Sequence, residues 1–196
     1  RVFFGFLLSL CLLSPAAGAQ SAALSKGINL SNWLANADRQ EVNDADLDQI
    51  RNAGFDHVRL PVNPENFQIH VDDDRFLKPG PYFKPVDDAV NKIIRHGLTV
   101  ILDFHPQDDY RGQIEESSHE AENFVKMWGY MATHFKDAPA SKLVFELLNE
   151  PQYYRTEDSY NTLAREAVAA IRRAIPAGRL PHIRSEERRV GKECLR

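Results

Sequence analysis

Residues 143–151, L-V-F-E-L-L-N-E-P, decide how this 196-residue chain is interpreted. The stretch is a short apolar run that stops at an amide, a carboxylate and a proline. It follows a turn-like segment, residues 139–141, and precedes residues 156–175, whose pattern predicts a helix, so it is typical of a buried parallel strand that leads into a helix. Asn149 and Glu150 then lie at the carboxyl end of that strand. Parallel α/β folds carry their chemistry there, because the strand ends converge while the loops beyond them can vary.

Three earlier stretches predict further strands: residues 27–34 (G-I-N-L-S-N-W-L), 55–62 (F-D-H-V-R-L-P-V) and 99–106 (T-V-I-L-D-F-H-P). In order and spacing, and together with the Asn-Glu-Pro sequence at 149–151, they resemble the first half of glycoside hydrolase family 5, the cellulase family. The resemblance covers roughly residues 24–180. It implies an α/β fold, a (β/α)8 TIM barrel truncated here to about the first four βα units, since a whole barrel takes about 250 residues.

The same resemblance implies roles for residues at the strand ends. Glu150 is expected to be the general acid/base, and Arg59 to lie beneath the catalytic carboxylates and hydrogen-bond them. A surface ion pair is the alternative for Arg59, but a charge at the end of a buried strand needs a partner. His105 is expected to orient the sugar or a catalytic carboxylate, and Asn149 can hydrogen-bond the sugar 2-hydroxyl. In the family the nucleophile is a glutamate on the seventh strand, which has no counterpart in these residues.

Two further acids lie deeper on the same strands. Glu146 is expected to be a partner for Arg59 rather than a nucleophile. Asp103 lies two residues before His105 and should join the same layer, because residues two apart point to the same face of a strand. The Asp103–His105 pair also has the form of two metal ligands, but no convincing partners accompany it, so the sequence predicts no metal and no cofactor.

Two aromatic residues are candidate substrate contacts. Trp33, at the exit of the first strand, is either a platform on which a sugar ring stacks or a core aromatic, and the sequence leaves both open. Tyr110 lies in residues 107–118, which are predicted to form a polar, flexible loop above the cleft, and it is expected to touch the substrate there.

Helix signals separate the strands. Asn43 is a predicted N-cap with acids in the following turn, and Gly97 is predicted to end a helix over residues 85–96. Ser117 or Ser118 should cap a third helix whose apolar side chains recur at helical spacing, including Trp128.

The two ends of the chain differ in composition from the rest. Residues 1–19 have a positive residue, an apolar run and a small-residue A-G-A site, so they are expected to be a signal peptide that is cut after Ala19. The catalytic segment is expected at residues 20–183. Residues 184–196 are dense in charge and are interpreted as translated adapter sequence rather than part of the fold. The protein is therefore expected to be secreted, extracellular or periplasmic, without a membrane anchor after cleavage.

Charge and cysteine content narrow the function. The net charge is −4 with both signs mixed along the chain, which argues against nucleic acid and polybasic membrane binding. Cys11 and Cys194 lie in the two terminal segments, so the folded part is predicted to hold neither a disulfide nor a cysteine-ligated zinc. A neutral polysaccharide is compatible with this composition.

The sequence and the resemblance together predict a secreted retaining endo-β-1,4-glucanase whose partner is a polysaccharide, β-glucan. Another β-glycanase, such as a mannanase or an exo-glucanase, is one alternative. A non-catalytic saccharide-binding fragment is a second, and a metallohydrolase is a third. Because the seventh-strand nucleophile is not among these residues, the 196-residue polypeptide itself is expected to be inactive.

Overall fold

The computed structural model describes residues 24–31, 33–35, 41–65, 83–151 and 157–184. Within these ranges, five parallel strands form one sheet in the order of the chain. They are β1 (Gly27–Asn29), β2 (His57–Val62), β3 (Thr99–Phe104), β4 (Leu143–Glu146) and β5 (His182–Arg184). The first four lie in the stretches predicted to be strands, and β5 is one more strand than the sequence analysis expected.

Helices connect the strands. They are α1 (Asp44–Asn52), α2 (Lys84–Arg95), α3 (Asp108–Glu116), α4 (Ser118–His134) and α5 (Glu157–Ala174), followed by a short 3-10 turn, Ala177–Arg179. The alternation of strands and helices explains the parallel sheet, because a parallel connection needs a crossover long enough to return the chain to the same edge. No described helix combines the length and apolar character that crossing a bilayer requires.

Some expectations concern residues that the structure does not describe. The predicted signal peptide, residues 1–19, and residues 185–196 of the predicted tail lie outside the described residues. Arg184, the first residue of that predicted tail, belongs to β5, and its carbonyl oxygen accepts a hydrogen bond from the Leu147 amide at 3.0 Å.

The helix ends follow their local sequence signals. The Asn43 side chain accepts from the Asp46 amide at 3.0 Å, while the Asp46 carboxylate accepts from the Asn43 amide at 3.1 Å, which is a complete capping box. Ser117 caps α4 by accepting from the Glu120 amide. Gly97 follows α2 with a φ of 76°, a left-handed conformation that glycine adopts without a steric penalty.

The two faces of the sheet differ in chemistry. Side chains in register point to the same face, so every second residue of each strand faces the helices. That face carries Val58, Leu60, Val100, Leu102 and Phe145, all of them in the hydrophobic core. The opposite face, here called the inner face, carries the polar side chains Asn29, Arg59, Asp103, Glu146 and Arg184. Burial of the apolar face holds the sheet to the helices, at about 1.5–3 kcal/mol for each large side chain.

Trp128 on α4 connects the core to the end of β4. Its ring lies 5.3 Å from the Phe145 ring and 6.4 Å from the Phe104 ring, measured between centroids. Its indole nitrogen donates to the Leu147 carbonyl oxygen at 3.1 Å. The chain immediately beyond β4 is therefore fixed from the helix side of the sheet.

The expectation of a flexible loop over residues 107–118 is wrong, because most of this stretch forms α3. Tyr110, Arg111 and Ile114 are buried on one side of this helix. The helix packs against α4. Two apolar residues in a polar stretch are too weak a periodic signal for a helix, and the packing surface that stabilises it comes from elsewhere in the chain.

His96 joins α1 to the end of α2. Its Nε2 lies 2.7 Å from Asp44 Oδ1, and its Nδ1 lies 2.8 Å from Asp48 Oδ1. The hydrogen bonds to Asp44 and then Asp48 raise the pKa of His96 above its ordinary value of 6.5. Lys92 and Arg95 on α2 are the nearby cations.

We predict that His96→Gln destabilises the protein more at acid than at alkaline pH. A histidine whose pKa is raised by folding contributes stability that is fully present below its unfolded pKa and is lost as the pH rises through the folded pKa. Urea unfolding of both proteins below about pH 6 and above about pH 8 measures the difference. In a background with Asp44→Asn and Asp48→Asn, the same substitution should show no such pH dependence; a dependence that persisted there would contradict this explanation.

Candidate active site

Backbone pairing continues past the ends of β2, β3 and β4 and fixes the positions of two predicted site residues. The His105 amide donates to the Val62 carbonyl oxygen, and the Asn149 amide donates to the Phe104 carbonyl oxygen, both at 2.9 Å. Because the strands are parallel, these residues leave the sheet at the same carboxyl end. Their side chains are thereby brought next to Arg59.

Arg59 is the centre of the inner face. Its Nη2 lies 2.9 Å from Asp103 Oδ2 and 2.9 Å from Glu146 Oε1, and its Nε lies 3.2 Å from both Glu146 oxygens. The two carboxylate side chains are 0% exposed, and the arginine side chain is 20% exposed. Glu146 is therefore the partner for Arg59 that the sequence analysis expected, Asp103 joins the same layer, and the surface ion pair is excluded.

The Arg59 network includes two residues that the sequence analysis missed. Arg59 Nη1 donates to Asn29 Oδ1 at 3.3 Å, which ties β1 to β2 across the inner face. Arg184 Nε lies 3.3 Å from Glu146 Oε2 and adds a second cation to this carboxylate. A signal existed for Asn29, a polar residue inside an apolar strand. Arg184 begins the charged segment at residues 184–196, whose composition does not predict a strand, so its position in β5 was not expected.

His105 and Asn149 complete the site above the buried acids. His105 Nδ1 lies 2.8 Å from Asp103 Oδ2, and its Nε2 lies 3.5 Å from Asn149 Nδ2. Arg59 Nη2 donates to Asn149 Oδ1 at 2.9 Å. The structure thus brings together Arg59, His105 and Asn149, three of the four predicted catalytic residues, in one hydrogen-bonded group.

The buried environment alters the acidity of Asp103. Desolvation raises the pKa of this carboxyl group above its ordinary value of 3.8, and the nearby Glu146 carboxylate acts in the same direction. The hydrogen bond from His105 and the charge of Arg59 act in the opposite direction. Asp103 and His105 form a hydrogen bond with each other. The described residues contain no group of three side chains that could together bind a metal ion.

Glu150 follows Asn149 directly and is half-buried. Its φ of 46° is left-handed, the only such value among the described residues other than glycine. This conformation costs about 1–2 kcal/mol for a residue with a Cβ. Pro151 comes next, and a following proline disfavours the right-handed helical conformation, so the chain turns sharply at Glu150. The extended chain that follows β4 therefore ends at Glu150, the predicted acid/base.

The two predicted aromatic contacts are not part of this group. Trp33 is 5% exposed, belongs to the hydrophobic core, and has Lys92 Nζ of α2 5.6 Å from its ring centroid. This placement favours the core aromatic over the sugar platform. Tyr110 is 9% exposed and also lies in the core, on α3 rather than in a loop. Neither side chain offers an open face to a sugar ring.

Comparisons with known proteins show which family and which enzymes this chain resembles. The family model described as Cellulase (glycosyl hydrolase family 5) matches residues 17–182. Endoglucanase 3 of Fibrobacter succinogenes is 29% identical over 167 residues, which are 76% of this chain and 25% of that protein. Cellodextrinase A of Ruminococcus flavefaciens is 27% identical over 170 residues, which are 80% of this chain and 49% of that protein.

Solved structures give the same relationship. Cel5A of Thermotoga maritima in complex with cellobiose shares 30% sequence identity and superposes with a TM-score of 0.70, covering 83% of this chain and 51% of that chain. The same enzyme in complex with mannotriose gives 29% identity and a TM-score of 0.70. The chain thus spans about half the length of these structures and half or less of the two relatives named above. Its parallel sheet corresponds to part of their barrel.

We predict that Arg59→Met lowers the free energy of unfolding by about 3–5 kcal/mol, because it leaves two buried carboxylates without their common cation. Chemical denaturation measures the loss. The matched control is Arg179→Met, which removes an exposed pair with Asp137, 64% and 74% exposed, and should cost about 0–1 kcal/mol. Equal losses in the two variants would show that burial does not strengthen the Arg59 contacts.

Proposed function

Because this chain belongs to glycosyl hydrolase family 5, we propose that it forms part of a retaining glycosidase that cleaves β-1,4-glucan, with Glu150 as the general acid/base. The observation that carries the proposal is the hydrogen-bonded group of Arg59, His105 and Asn149, because Asn149 immediately precedes Glu150 in the chain. A hydrolase needs its acid held in a fixed geometry at the scissile bond, and a rigid neighbouring residue provides that.

Retaining hydrolysis gives Glu150 two tasks. As an acid it protonates the oxygen of the leaving sugar while a second carboxylate attacks the anomeric carbon. As a base it then takes a proton from the water that hydrolyses the glycosyl-enzyme intermediate. A residue that changes roles must reach both the leaving oxygen and the incoming water, and the half-buried position of Glu150 is compatible with such access.

Asn149 is proposed to bind the substrate from the same strand end. Its Oδ1 accepts from Arg59, and its Nδ2 lies 3.5 Å from His105 Nε2, to which it can donate one of its two hydrogens. Within the described residues the second hydrogen of Nδ2 has no acceptor, so it can donate to the oxygen of the sugar 2-hydroxyl. Hydrogen bonds to this hydroxyl strengthen in the oxocarbenium-like transition state, so the contact would contribute to catalysis as well as to binding.

The nucleophile is proposed to lie outside these 196 residues. Retaining enzymes hold their two carboxyl groups about 5–5.5 Å apart, with both facing the sugar. The other acids of the inner face, Asp103 and Glu146, are fully buried and bound by Arg59, which makes both unsuitable for attack. The activity of the 196-residue polypeptide alone should therefore be absent.

The substrate is proposed to be a β-1,4-glucan because relatives of this chain are named endoglucanases and a cellodextrinase. A second candidate is a mannan, since one similar structure is a complex with mannotriose. An exo-acting glucanase is a third possibility within the same class. Reducing-sugar release from carboxymethylcellulose and from mannan, compared on the same enzyme, would separate the first two.

Secretion is also proposed, from the residue pattern at positions 1–19. When the gene is expressed in a host that can export it, the protein outside the cytoplasm should begin at Gln20. Sequencing of its N-terminus measures this. An exported protein that still carried residues 1–19 would contradict the proposed cleavage.

Glu150→Gln tests the proposed catalytic role. In the complete enzyme this substitution should lower kcat on carboxymethylcellulose by about 10²- to 10⁴-fold, because glutamine cannot transfer the proton. The matched control is Glu166→Gln, an exposed residue of α5, which should leave kcat unchanged. The 196-residue chain should show no turnover with either residue at position 150.

The outcomes separate the candidate functions. Turnover by the 196-residue chain that vanished in Glu150→Gln would refute the proposed location of the nucleophile and support the acid/base role. If the complete protein bound cellulose without hydrolysing it, and the Glu150→Gln variant bound equally well, a non-catalytic saccharide-binding protein would be favoured. Loss of activity on adding a chelator would instead support a metallohydrolase.

A further inference from the structure

Four side chains at the inner face form a closed ring of three hydrogen bonds and one ion pair. Arg59 Nη2 contacts Asn149 Oδ1 at 2.9 Å, and Asn149 Nδ2 lies 3.5 Å from His105 Nε2. His105 Nδ1 lies 2.8 Å from Asp103 Oδ2, which returns to Arg59 Nη2 at 2.9 Å. The ring joins residues from or just beyond β2, β3 and β4 at the carboxyl end of the sheet.

The donors and acceptors of this ring can be assigned by starting from the arginine. A guanidinium group can only donate, so the Asn149 atom that faces it must be the oxygen. The amide nitrogen of Asn149 then faces His105 Nε2 and donates to it, so Nε2 carries a lone pair rather than a proton. In a neutral imidazole the other nitrogen holds the proton, and His105 Nδ1 therefore donates to Asp103 Oδ2.

Asp103 does more in this ring than neutralise Arg59. Glu146 already meets the arginine with both of its oxygens. Asp103 is 0% exposed, and its second oxygen, Oδ1, has no hydrogen-bond partner in the described part of the chain. Its polar contacts therefore converge on one oxygen, which is shared by Arg59 and His105. Among the described residues, Asp103 is the acceptor that faces His105 Nδ1.

We propose that Asp103 is a positioning residue of this active site, which fixes the proton of His105 on Nδ1 and thereby turns the Nε2 lone pair towards Asn149. Its meaning for catalysis rests on the proposed function, because Asn149 and His105 are the groups that would meet the sugar. A carboxylate that sets the tautomer of a histidine also sets which hydrogen-bonding group its other nitrogen presents. Asp103 itself touches no substrate.

The tautomer of His105 is directly measurable in the 196-residue chain. Long-range proton–nitrogen NMR spectra of protein labelled with ¹⁵N-histidine distinguish a protonated Nδ1 from a protonated Nε2. The signals of His105 among the seven histidines are those lost in His105→Gln. We expect His105 at neutral pH to carry its proton on Nδ1. A spectrum with the proton on Nε2 in the unsubstituted protein would overturn the proposal, without any need for a variant at position 103.

Three substitutions separate positioning from general packing. Asp103→Leu removes the acceptor and should cause loss of the Nδ1-protonated pattern. Asp103→Asn should retain this pattern. Arg59 can only donate, so the amide oxygen of Asn should occupy the position of Oδ2 and still accept the hydrogen bond from His105 Nδ1. Glu146→Gln is the matched control, a substitution of an equally buried acid that also contacts Arg59, and it should leave the His105 pattern unchanged.

The contrary outcomes are equally definite. If Glu146→Gln changed the tautomer as much as Asp103→Leu, the effect would come from disturbing the buried layer, and the proposal would fail. A change in Asp103→Asn as large as that in Asp103→Leu would also overturn it. If Asp103→Leu does not fold, the unsubstituted protein and Asp103→Asn still decide the question. None of these spectra needs substrate or turnover, so failure of the Glu150 assay and failure of this proposal are distinguishable.

Discussion

The ion pairs of Arg59 with Asp103 and Glu146 are the interaction on which the site depends. Two carboxylates with no solvent exposure are costly to bury, and only a cation that meets both with good geometry offsets that cost. A planar guanidinium group has enough donors to serve both acids and still bind Asn149. The strands that carry these residues are therefore held in one register, and the site inherits its geometry from this contact.

Because side chains alternate along each strand, the hydrophobic core lies on one face of the sheet and the polar site residues lie on the other. In β4, Phe145 packs against Trp128 on the helix side, while the next residue, Glu146, faces Arg59 on the inner face. Trp128 also binds the carbonyl oxygen of Leu147, so the core restrains the chain two residues before Asn149. The strained backbone of Glu150 can persist because the segment before it is fixed on both sides.

Much of the fold and part of the site can be predicted from the sequence because the responsible signals are local. A strand has a period of two, so the contrast between Val58 and Arg59 already assigns the two faces of β2. Asn43 and Ser117 act as helix caps through contacts three residues away. The pairing of Arg59 with Glu146 follows from placing two opposite charges on the same face of a parallel sheet, on strands that only β3 separates. Each of these inferences depends either on residues that are close in sequence or on the regular βα repeat of a parallel sheet.

The sequence by itself thus determined the parallel βα order, the inner-face acids and the candidate acid/base at the end of β4. Only the tertiary structure decided that Tyr110 lies in a helix, that Trp33 belongs to the core, and that Arg184 extends the sheet and contacts Glu146. The closed ring through Asp103 was likewise set by three strands meeting. The reason is physical: burial of an aromatic ring, and the pairing of a charge, depend on which distant element covers that position, and no local pattern carries this information.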